Sequence, residues 1–272
     1  MSPTAHYTGY VWARAGLSDP AFVTNEGRLL HSTLAPLNLT SRLWRGPTLD
    51  GFLLARHRLI DQLLEQAVES GEISQVIEVA AGLSPRGWTF AKKYGDRITY
   101  VETDLPGMAA RKRKVLAGLG SLSEHHQVVE LDALADAGAG SLLELTGRLD
   151  AGRGTAIVTE GLVNYFDRDT VVAMWRRFAT ALGRFSTGRY LSDLHLHGDT
   201  NPTLTWVFTL GLSAFVRGRV HLHFENVDEA TTALLDCGFG TAVLHLPTDF
   251  PKVIGNRRDP AAKMVRIVDA CR

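Results

Sequence analysis

The sequence is short of several features that would assign it to a class at once. Its 272 residues include only two cysteines, Cys237 and Cys271, which are too few for a disulfide framework. Basic and acidic side chains number 29 each, and this balance argues against a general nucleic-acid binder, because phosphate binding needs clustered Lys and Arg. With 45% hydrophobic residues the chain can bury a full core, so we expect a globular, soluble protein.

The sequence also lacks a hydrophobic run long enough to span a bilayer. The most apolar window, residues 203–216, ends before Arg217 and Arg219, so we expect a buried helix there and no membrane association. The first ten residues have neither a basic start nor an apolar core, and they therefore predict no signal peptide. A reducing cytoplasm is the expected location.

Regular patterning begins near residue 50. Residues 1–50 are rich in Gly, Pro and Trp without a regular pattern, and we interpret them as a cover segment on a domain that spans residues 51–272. Apolar side chains then recur at helical spacing to about Glu69, with Asp50 as the candidate cap.

Short β-rich runs alternate with helical ones after this helix. The runs are VIEVAA, ITYVET, HQVVELD, TAIVTEG, YLSDLHL and TAVLHLP. Strands that alternate with helices predict an α/β fold with a parallel sheet wound on both faces. The basic run of residues 111–114 falls in one of the helices, and we interpret it as a solvated face.

The first strand leads into the turn AAGLSP, residues 80–85. A dinucleotide turn needs G-x-G-x-x-G, and here Ala80, Gly82 and Pro85 stand at the corresponding positions, so a pyrophosphate is a poor fit. Gly82 would let a ligand approach the backbone closely. Ser84 and Pro85 predict the N-cap and first residue of a helix that points at this ligand.

Acidic residues mark four consecutive strands, namely Glu78 in the first, Glu102 and Asp104 in the second, Asp132 after the third and Glu160 after the fourth. The carboxyl ends of parallel strands form the ligand crevice of such sheets. A buried Glu78 would need a cationic partner, which the amino group of a ligand would supply. The row of acids suits a ligand with a ribose, an amine and a positive charge, as in S-adenosylmethionine. An interior salt-bridge network is the alternative interpretation.

Four stretches resemble successive motifs of the leucine carboxyl methyltransferase family. They are LLARHRLID, VIEVAAGLSPRGW, YVETDLPGMAARKRKVL and IVTEGLVNYF, in family order over residues 53–166. The bacterial branch of this family includes O-methyltransferases of polyketide pathways of the tetracenomycin type. The resemblance implies S-adenosylmethionine as methyl donor and the class I methyltransferase fold, a Rossmann-like seven-stranded sheet with its last strand antiparallel, under an N-terminal helical cover.

The same resemblance implies roles for individual residues. Arg56 would bind the carboxylate of the donor, and Gly82 would underlie its methionine part. Asp104 would bind the ribose, and Asp132, with Ala133 next to it, would accept from the adenine amine. These residues would form the donor half of the site.

The fourth motif and the first turn add further expectations. Glu160 would lie beside the donor, and Tyr165 would face the transferring methyl group or the acceptor. Two positions depart from the family pattern, because Ala80 stands where Gly is usual and Ser84 where Asp is usual. Ala80 is still expected to contact a donor that has no pyrophosphate.

The nature of the acceptor decides whether a catalytic base is needed. A carboxylate is already ionised at neutral pH, whereas a phenol with a pKa near 10 would benefit from a base. His195 is the candidate base, and Asp193 could orient it. His195 and His197, like His221 and His223, fall on one face of a strand, as metal ligands can, but no Cys joins them and no metal site is predicted.

The sequence therefore predicts an S-adenosylmethionine-dependent O-methyltransferase with a small-molecule acceptor. A carboxylate of a polyketide-like metabolite is favoured over a phenol, and a protein substrate stays open by family analogy. Residues 1–50 and an insertion near 196–225 are the expected acceptor contacts. The alternatives are an NAD(P)-dependent oxidoreductase, disfavoured by the missing G-x-G-x-x-G, and a non-catalytic binding protein with the same fold. The oligomeric state is left open.

Overall fold

The computed structural model describes residues 3–44, 46–199, 221–254 and 260–272. Its helices are α1 (Pro3–Arg14), α2 (Asn25–Leu43), α3 (Leu49–Glu69), α4 (Arg86–Tyr94), α5 (Pro106–Gly118), α6 (Leu142–Thr146), α7 (Arg168–Leu182), α8 (Val227–Asp236) and α9 (Pro251–Ile254). Its strands are β1 (Gln75–Val79), β2 (Thr99–Asp104), β3 (His126–Glu130), β4 (Thr155–Thr159), β5 (Gly188–Leu194), β6 (Thr241–His245) and β7 (Arg266–Cys271). The helix predicted at 203–216, and most of the insertion predicted near 196–225, lie outside these residues.

The strands form one seven-stranded sheet in the order β3-β2-β1-β4-β5-β7-β6. Strands β1 to β5 are parallel to one another, and β7 runs antiparallel between β5 and β6. This arrangement confirms the predicted sheet with its last strand antiparallel. The strand order reverses between β1 and β4, which is where open α/β sheets form their ligand crevice.

The core lies on both faces of the sheet. Every residue of β1 and β4 is buried, as expected for central strands that are covered by helices on both sides. One cluster includes Trp175 and Phe178 of α7, and the other includes Leu59 and Leu63 of α3. Among the described residues no helix is long and apolar enough to cross a membrane.

Helices α1 and α2 occupy most of residues 1–50, in agreement with the N-terminal helices that the family resemblance implied, although the residue pattern alone showed no regularity there. Tyr7, Val11 and Trp12 on α1 are buried against the core of the neighbouring helices. This burial outweighs local signals such as Pro36, which stands inside α2 and normally disfavours a helix interior. The division into a cover and a methyltransferase domain at residue 50 stays a prediction.

Two predicted helix starts are shifted, that of α3 by two residues and that of α4 by one. Thr48, rather than Asp50, caps α3, and its Oγ1 accepts from the Gly51 amide at 2.9 Å. Helix α4 begins at Arg86, so Pro85 is the cap, and Ser84 Oγ accepts from the Arg86 amide at 3.2 Å. Both shifts leave the direction of each helix as expected.

Candidate active site

A cavity of about 470 Å³ opens at the carboxyl ends of the parallel strands. Its walls come from α1, α3, the turn after β1, the start of α5, the segment after β4 and the end of β5. A cavity of this size falls within the roughly 300–1,000 Å³ typical of small-molecule sites. The predicted site residues that line it are Arg56, Ala80, Gly82, Asp104, Glu160, Tyr165 and His195.

The floor of the cavity is the turn after β1. Ala80 and Gly82 both adopt left-handed backbone conformations, with φ of 55° and 53°. The Gly82 amide donates to Asp104 Oδ2 at 2.8 Å, and the Leu105 amide donates to Oδ1 at 2.8 Å. Burial raises the pKa of Asp104, although these two amides act in the opposite direction. The carboxyl group is therefore fixed beside the turn, at the end of β2.

One side wall is an ion cluster around Arg56. Its Nε donates to Glu160 Oε1 at 3.0 Å and its Nη1 donates to Asp193 Oδ2 at 2.9 Å. Asp193 Oδ1 accepts from the Gly161 amide at 2.7 Å. Gly161 has a φ of 69°, and an added Cβ would lie 3.0 Å from Arg56 Nη2, so glycine allows the guanidinium to reach this wall. Arg56 is already balanced by two carboxylates, and its Nη2 is the group left for a ligand.

Arg86 binds this cluster from the protein interior. Its side chain is fully buried, and it donates to Glu160 Oε2 at 2.6 Å, Glu78 Oε1 at 2.6 Å and Asp61 Oδ1 at 2.5 Å. His57 Nδ1 lies 2.8 Å from the same Oε2 of Glu160. Burial alone would raise the pKa of Glu160, but His57, Arg86 and Arg56 hold it well below its usual value. Glu160 is therefore an anion fixed between the interior and the cavity.

Glu78 does not lie on the cavity wall, and its predicted contact with a ligand amine is corrected. It is 1% exposed, and it accepts from Arg86 and from the Tyr100 hydroxyl at 2.9 Å. Burial raises its pKa. The cationic partner that a buried acid requires is thus part of the protein.

Glu102 is likewise an interior acid rather than a ligand contact. It is fully buried, forms an ion pair with Lys112 and lies 2.8 Å from Nε2 of His126. Lys112 also donates to the Ser84 carbonyl at 2.5 Å and supports the turn from behind. The run of residues 111–114 is therefore not entirely a solvated face. For Glu78 and Glu102 the interior-network interpretation is the one that the structure shows.

Asp132 and Ala133 also lie outside the cavity lining. Strand β3 ends at Glu130, and Asp132 is exposed, with Oδ1 accepting from the Leu134 amide at 2.9 Å. Ala133 packs against the core on its face of the sheet. A donor would have to extend beyond the cavity to reach them, and their adenine contact stays a prediction.

His195 lines the cavity just after the end of β5. Its Nδ1 is 3.0 Å from the Met264 carbonyl, and since a carbonyl only accepts, Nδ1 carries the proton and Nε2 holds a lone pair. The ring stacks on Phe52 with centroids 5.0 Å apart. Nε2 is 3.8 Å from Asp193, too far for a hydrogen bond, so Asp193 orients Arg56 rather than this histidine.

Burial lowers the pKa of His195, although Asp193 and the Met264 carbonyl act in the opposite direction and Arg56 adds to the lowering. A neutral imidazole is therefore favoured at neutral pH. The other histidines contact backbone: His197 Nε2 lies 3.2 Å from the Leu222 carbonyl and His223 Nε2 lies 2.7 Å from that of Phe166. Within the described ranges, no group of three or more His, Cys, Asp or Glu residues is arranged to hold a metal ion.

Tyr165 and α1 complete the enclosure. Tyr165 ends a short 3₁₀ turn, Val163–Tyr165, and is 36% exposed. Helix α1 contributes five lining residues at helical spacing, namely Thr4, Ala5, Tyr7, Thr8 and Trp12. An added Cβ on Gly9 would lie 3.3 Å from Leu83 Cβ, so α1 packs directly on the turn after β1.

Sequence reasoning missed Arg86, Lys112 and the cavity-lining face of α1. A buried Glu78 signalled a missing cation, but the sequence could not show whether Arg86 or a ligand supplied it. The spacing of Thr4, Thr8 and Trp12 carried a helical signal that the glycines and prolines of this region obscured.

Comparison with solved structures shows the fold. A protein from Thermobifida fusca YX, provisionally titled a methyltransferase, superimposes with a TM-score of 0.65 at 13% identity and covers 98% of this chain and 93% of its own. At this identity the likeness concerns the fold alone. It agrees with the predicted class I methyltransferase architecture.

Comparison with curated proteins finds two mycobacterial relatives, each provisionally named an S-adenosyl-L-methionine-dependent methyltransferase. The protein of Mycolicibacterium gilvum (strain PYR-GCK) is 33% identical over 125 residues, 43% of this chain and 36% of its own. That of Mycobacterium ulcerans (strain Agy99) is 29% identical over 140 residues, 48% of this chain and 41% of its own. The matches span less than half the length of either relative.

The family model for leucine carboxyl methyltransferases matches residues 19–179, more than half of the sequence. This range includes all four motifs of the sequence analysis and every wall of the cavity except α1 and the end of β5. The chain belongs to the leucine carboxyl methyltransferase family.

Proposed function

We propose that this protein transfers the methyl group of S-adenosylmethionine to an oxygen atom of a small molecule. The observation that carries the proposal is the hydrogen bond from the Gly82 amide to Asp104 at the floor of the cavity, where the strand order of the sheet reverses. A glycine turn beside a fixed carboxyl suits a ribose and a thioether, neither of which needs the nest of amides that a pyrophosphate uses.

The walls offer complementary groups for each part of the donor. Asp104 would accept from the ribose hydroxyls, and Nη2 of Arg56 would donate to the donor carboxylate. Glu160, held as an anion by Arg86 and Arg56, would lie close to the positive charge of the donor. When bound, the donor supplies an activated methyl group on a sulfonium. The protein aligns this group with the acceptor and excludes water.

The family of the chain and the names of its relatives support a methyltransferase, and the resemblance to the polyketide branch supports oxygen as the acceptor atom. Ala80 does not disable the turn, because its backbone adopts the left-handed conformation that a glycine would adopt there. This intact turn favours an active enzyme over a non-catalytic relative of the fold.

The test is calorimetric titration of the purified protein with S-adenosylmethionine, S-adenosylhomocysteine and NADH. We expect one site per chain for the first two ligands and no heat of binding for NADH. Binding of NADH with no binding of S-adenosylmethionine would overturn the proposal and favour an oxidoreductase. Failure to bind any of the three would remove the enzyme assignment.

A further inference from the structure

We propose that the acceptor group in this cavity is an uncharged hydroxyl and that His195 takes its proton. The inference rests on the proposed function and names the acceptor class for the same site. It reverses the preference for a carboxylate acceptor that the family resemblance suggested.

The charged side chains on the cavity wall disfavour an anionic acceptor. Among the described lining residues Arg56 is the one Lys or Arg side chain, whereas Asp104, Glu160 and Asp193 each bring a carboxyl group. Even with Asp104 protonated, the carboxylates on the wall outnumber its cation, and Arg86, which pairs with Glu160 from the interior, is shared with Glu78 and Asp61. A negatively charged acceptor would therefore enter a wall of its own sign.

Arg56 cannot offset this imbalance. Two of its donors are bound to Glu160 and Asp193, whose side chains are 3% and 1% exposed, so neither can turn away into solvent. The remaining Nη2 lies beside Gly161, which also lines the cavity, and the carboxylate of the donor would need it there. A second carboxylate would find no cation among the described lining residues, whereas a neutral hydroxyl needs none.

His195 supplies the group that a hydroxyl acceptor needs and a carboxylate does not. Nδ1 is bound to the Met264 carbonyl, which leaves the lone pair on Nε2, and stacking on Phe52 fixes the ring plane. The charged and titratable neighbours are Asp193 near the end of β5, Arg56 on α3 and His223. Burial keeps the pKa of His195 below the ordinary histidine value, so the base is present at neutral pH.

The reaction balances without a further reagent. The acceptor oxygen forms a bond to the methyl carbon as the carbon–sulfur bond breaks, and that electron pair stays on sulfur as a neutral thioether. The hydroxyl proton passes to Nε2 of His195, and the resulting imidazolium releases it to solvent after the products leave. A methyl ether results, which survives alkali, whereas a methyl ester does not.

The first test compares two probes of the same shape, 2-naphthol and 2-naphthoate, by calorimetry on the protein saturated with S-adenosylhomocysteine. We expect 2-naphthol to bind at least about tenfold more tightly, since only the carboxylate meets like charges. Equal affinities, a preference for 2-naphthoate or no binding of either probe would overturn the inference. If S-adenosylhomocysteine itself does not bind, the proposed function fails instead.

The second test concerns the proton on His195 and needs no acceptor. In ¹⁵N-histidine spectra of the full protein, with His195→Gln used for assignment, we expect a neutral ring at pH 7, protonated on Nδ1, that titrates below 6.5. A proton on Nε2, or a charged ring at pH 7, would overturn the role as base.

The third test is kinetic. With 2-naphthol as acceptor, His195→Gln should lower ether formation about 100-fold with unchanged binding of S-adenosylhomocysteine. His245→Gln is the matched control, because His245 lies in β6, pairs with Asp269 and is not among the lining residues. Equal rates in the two variants, or no ether from the wild-type protein, would contradict the inference.

Discussion

The backbone amide of Gly82 donates to the carboxyl group of Asp104 at 2.8 Å, which fixes the turn after β1 to the end of β2. The other oxygen of the same carboxyl group accepts from the amide of Leu105, immediately before α5. One side chain thus holds two backbone segments at the floor of the cavity. Its removal should affect both the shape of the turn and the binding of the donor.

Asp104→Ala should weaken the binding of S-adenosylmethionine at least about tenfold, because it removes the acceptor for the ribose hydroxyls and frees the turn. It should also lower the free energy of unfolding by about 1–3 kcal/mol, since the Gly82 amide loses its partner. Calorimetry and urea unfolding measure the two effects. Asp96→Ala, at an exposed acid, is the control. Unchanged donor affinity in a folded Asp104→Ala protein would show that the ribose assignment is wrong.

Ala80→Gly should stabilise the protein. Ala80 is the one non-glycine residue with positive φ in the described part of the chain, and that conformation costs roughly 1–2 kcal/mol for a residue with a Cβ. The greater conformational freedom of glycine in the unfolded chain offsets about 0.4–1 kcal/mol of this gain. We therefore expect the free energy of unfolding, measured in urea, to rise by about 0.5–1 kcal/mol. Ala81→Gly at the next, buried position should instead destabilise. If both variants lost the same amount of unfolding free energy, the backbone of Ala80 would not be strained.

Gly87→Ala should destabilise strongly. A Cβ at Gly87 would overlap the carboxyl group of Glu102, which is itself held by Lys112 and His126 and has no room to move. We expect a loss of about 1–3 kcal/mol in thermal or urea unfolding, as for other overpacked interiors. Gly118→Ala, at the end of α5 with open space around it, should be neutral or stabilising. A tolerated Gly87→Ala would mean that α4 can move away from β2.

Glu160 should contribute to stability at neutral pH and lose that contribution in acid. Its folded-state pKa lies below the unfolded value, because His57, Arg86 and Arg56 together outweigh the effect of burial, so the contribution is present above pH 5 and is lost as the pH falls through and below 4.5. In Glu160→Gln the fall of unfolding free energy between pH 5 and 3 should be shallower than in the wild-type protein. Glu124→Gln, at an exposed acid, should retain the wild-type slope. Identical slopes for Glu160→Gln and wild type would contradict this account.

The sheet was predictable from the sequence, because alternating strand and helix patterns are local. The runs VIEVAA and TAIVTEG coincide with most of β1 and with all of β4, and their largely apolar character follows from burial on both faces. Strand β7, RIVDAC, gave no such pattern, since polar residues interrupt it, and only the family resemblance implied it. Helices α1 and α2 were implied only by the family resemblance, because tertiary packing, which the local pattern does not show, offsets their weak local propensity.

The site was predictable only at the level of residue type. Gly82, Asp104 and Glu160 line one cavity because their motif positions place them at or just after strand ends, and Arg56 reaches the same cavity from α3. Glu78 required a cation, but the choice of Arg86 depends on how α4 packs against β1, which no local pattern specifies. Partner choice inside a charged interior is a property of three-dimensional packing.

The ion pairs that begin at Asp61 reach from solvent to the cavity wall. Asp61 is 25% exposed, yet through Arg86 and Glu160 it is linked to Arg56. A change of charge at this partly exposed position would alter the electric potential at the proposed reacting centre without any contact with donor or acceptor. Natural or laboratory selection could thus tune the rate from outside the pocket, and ionic strength, which screens Asp61 but not the buried pairs, would act on catalysis by the same route.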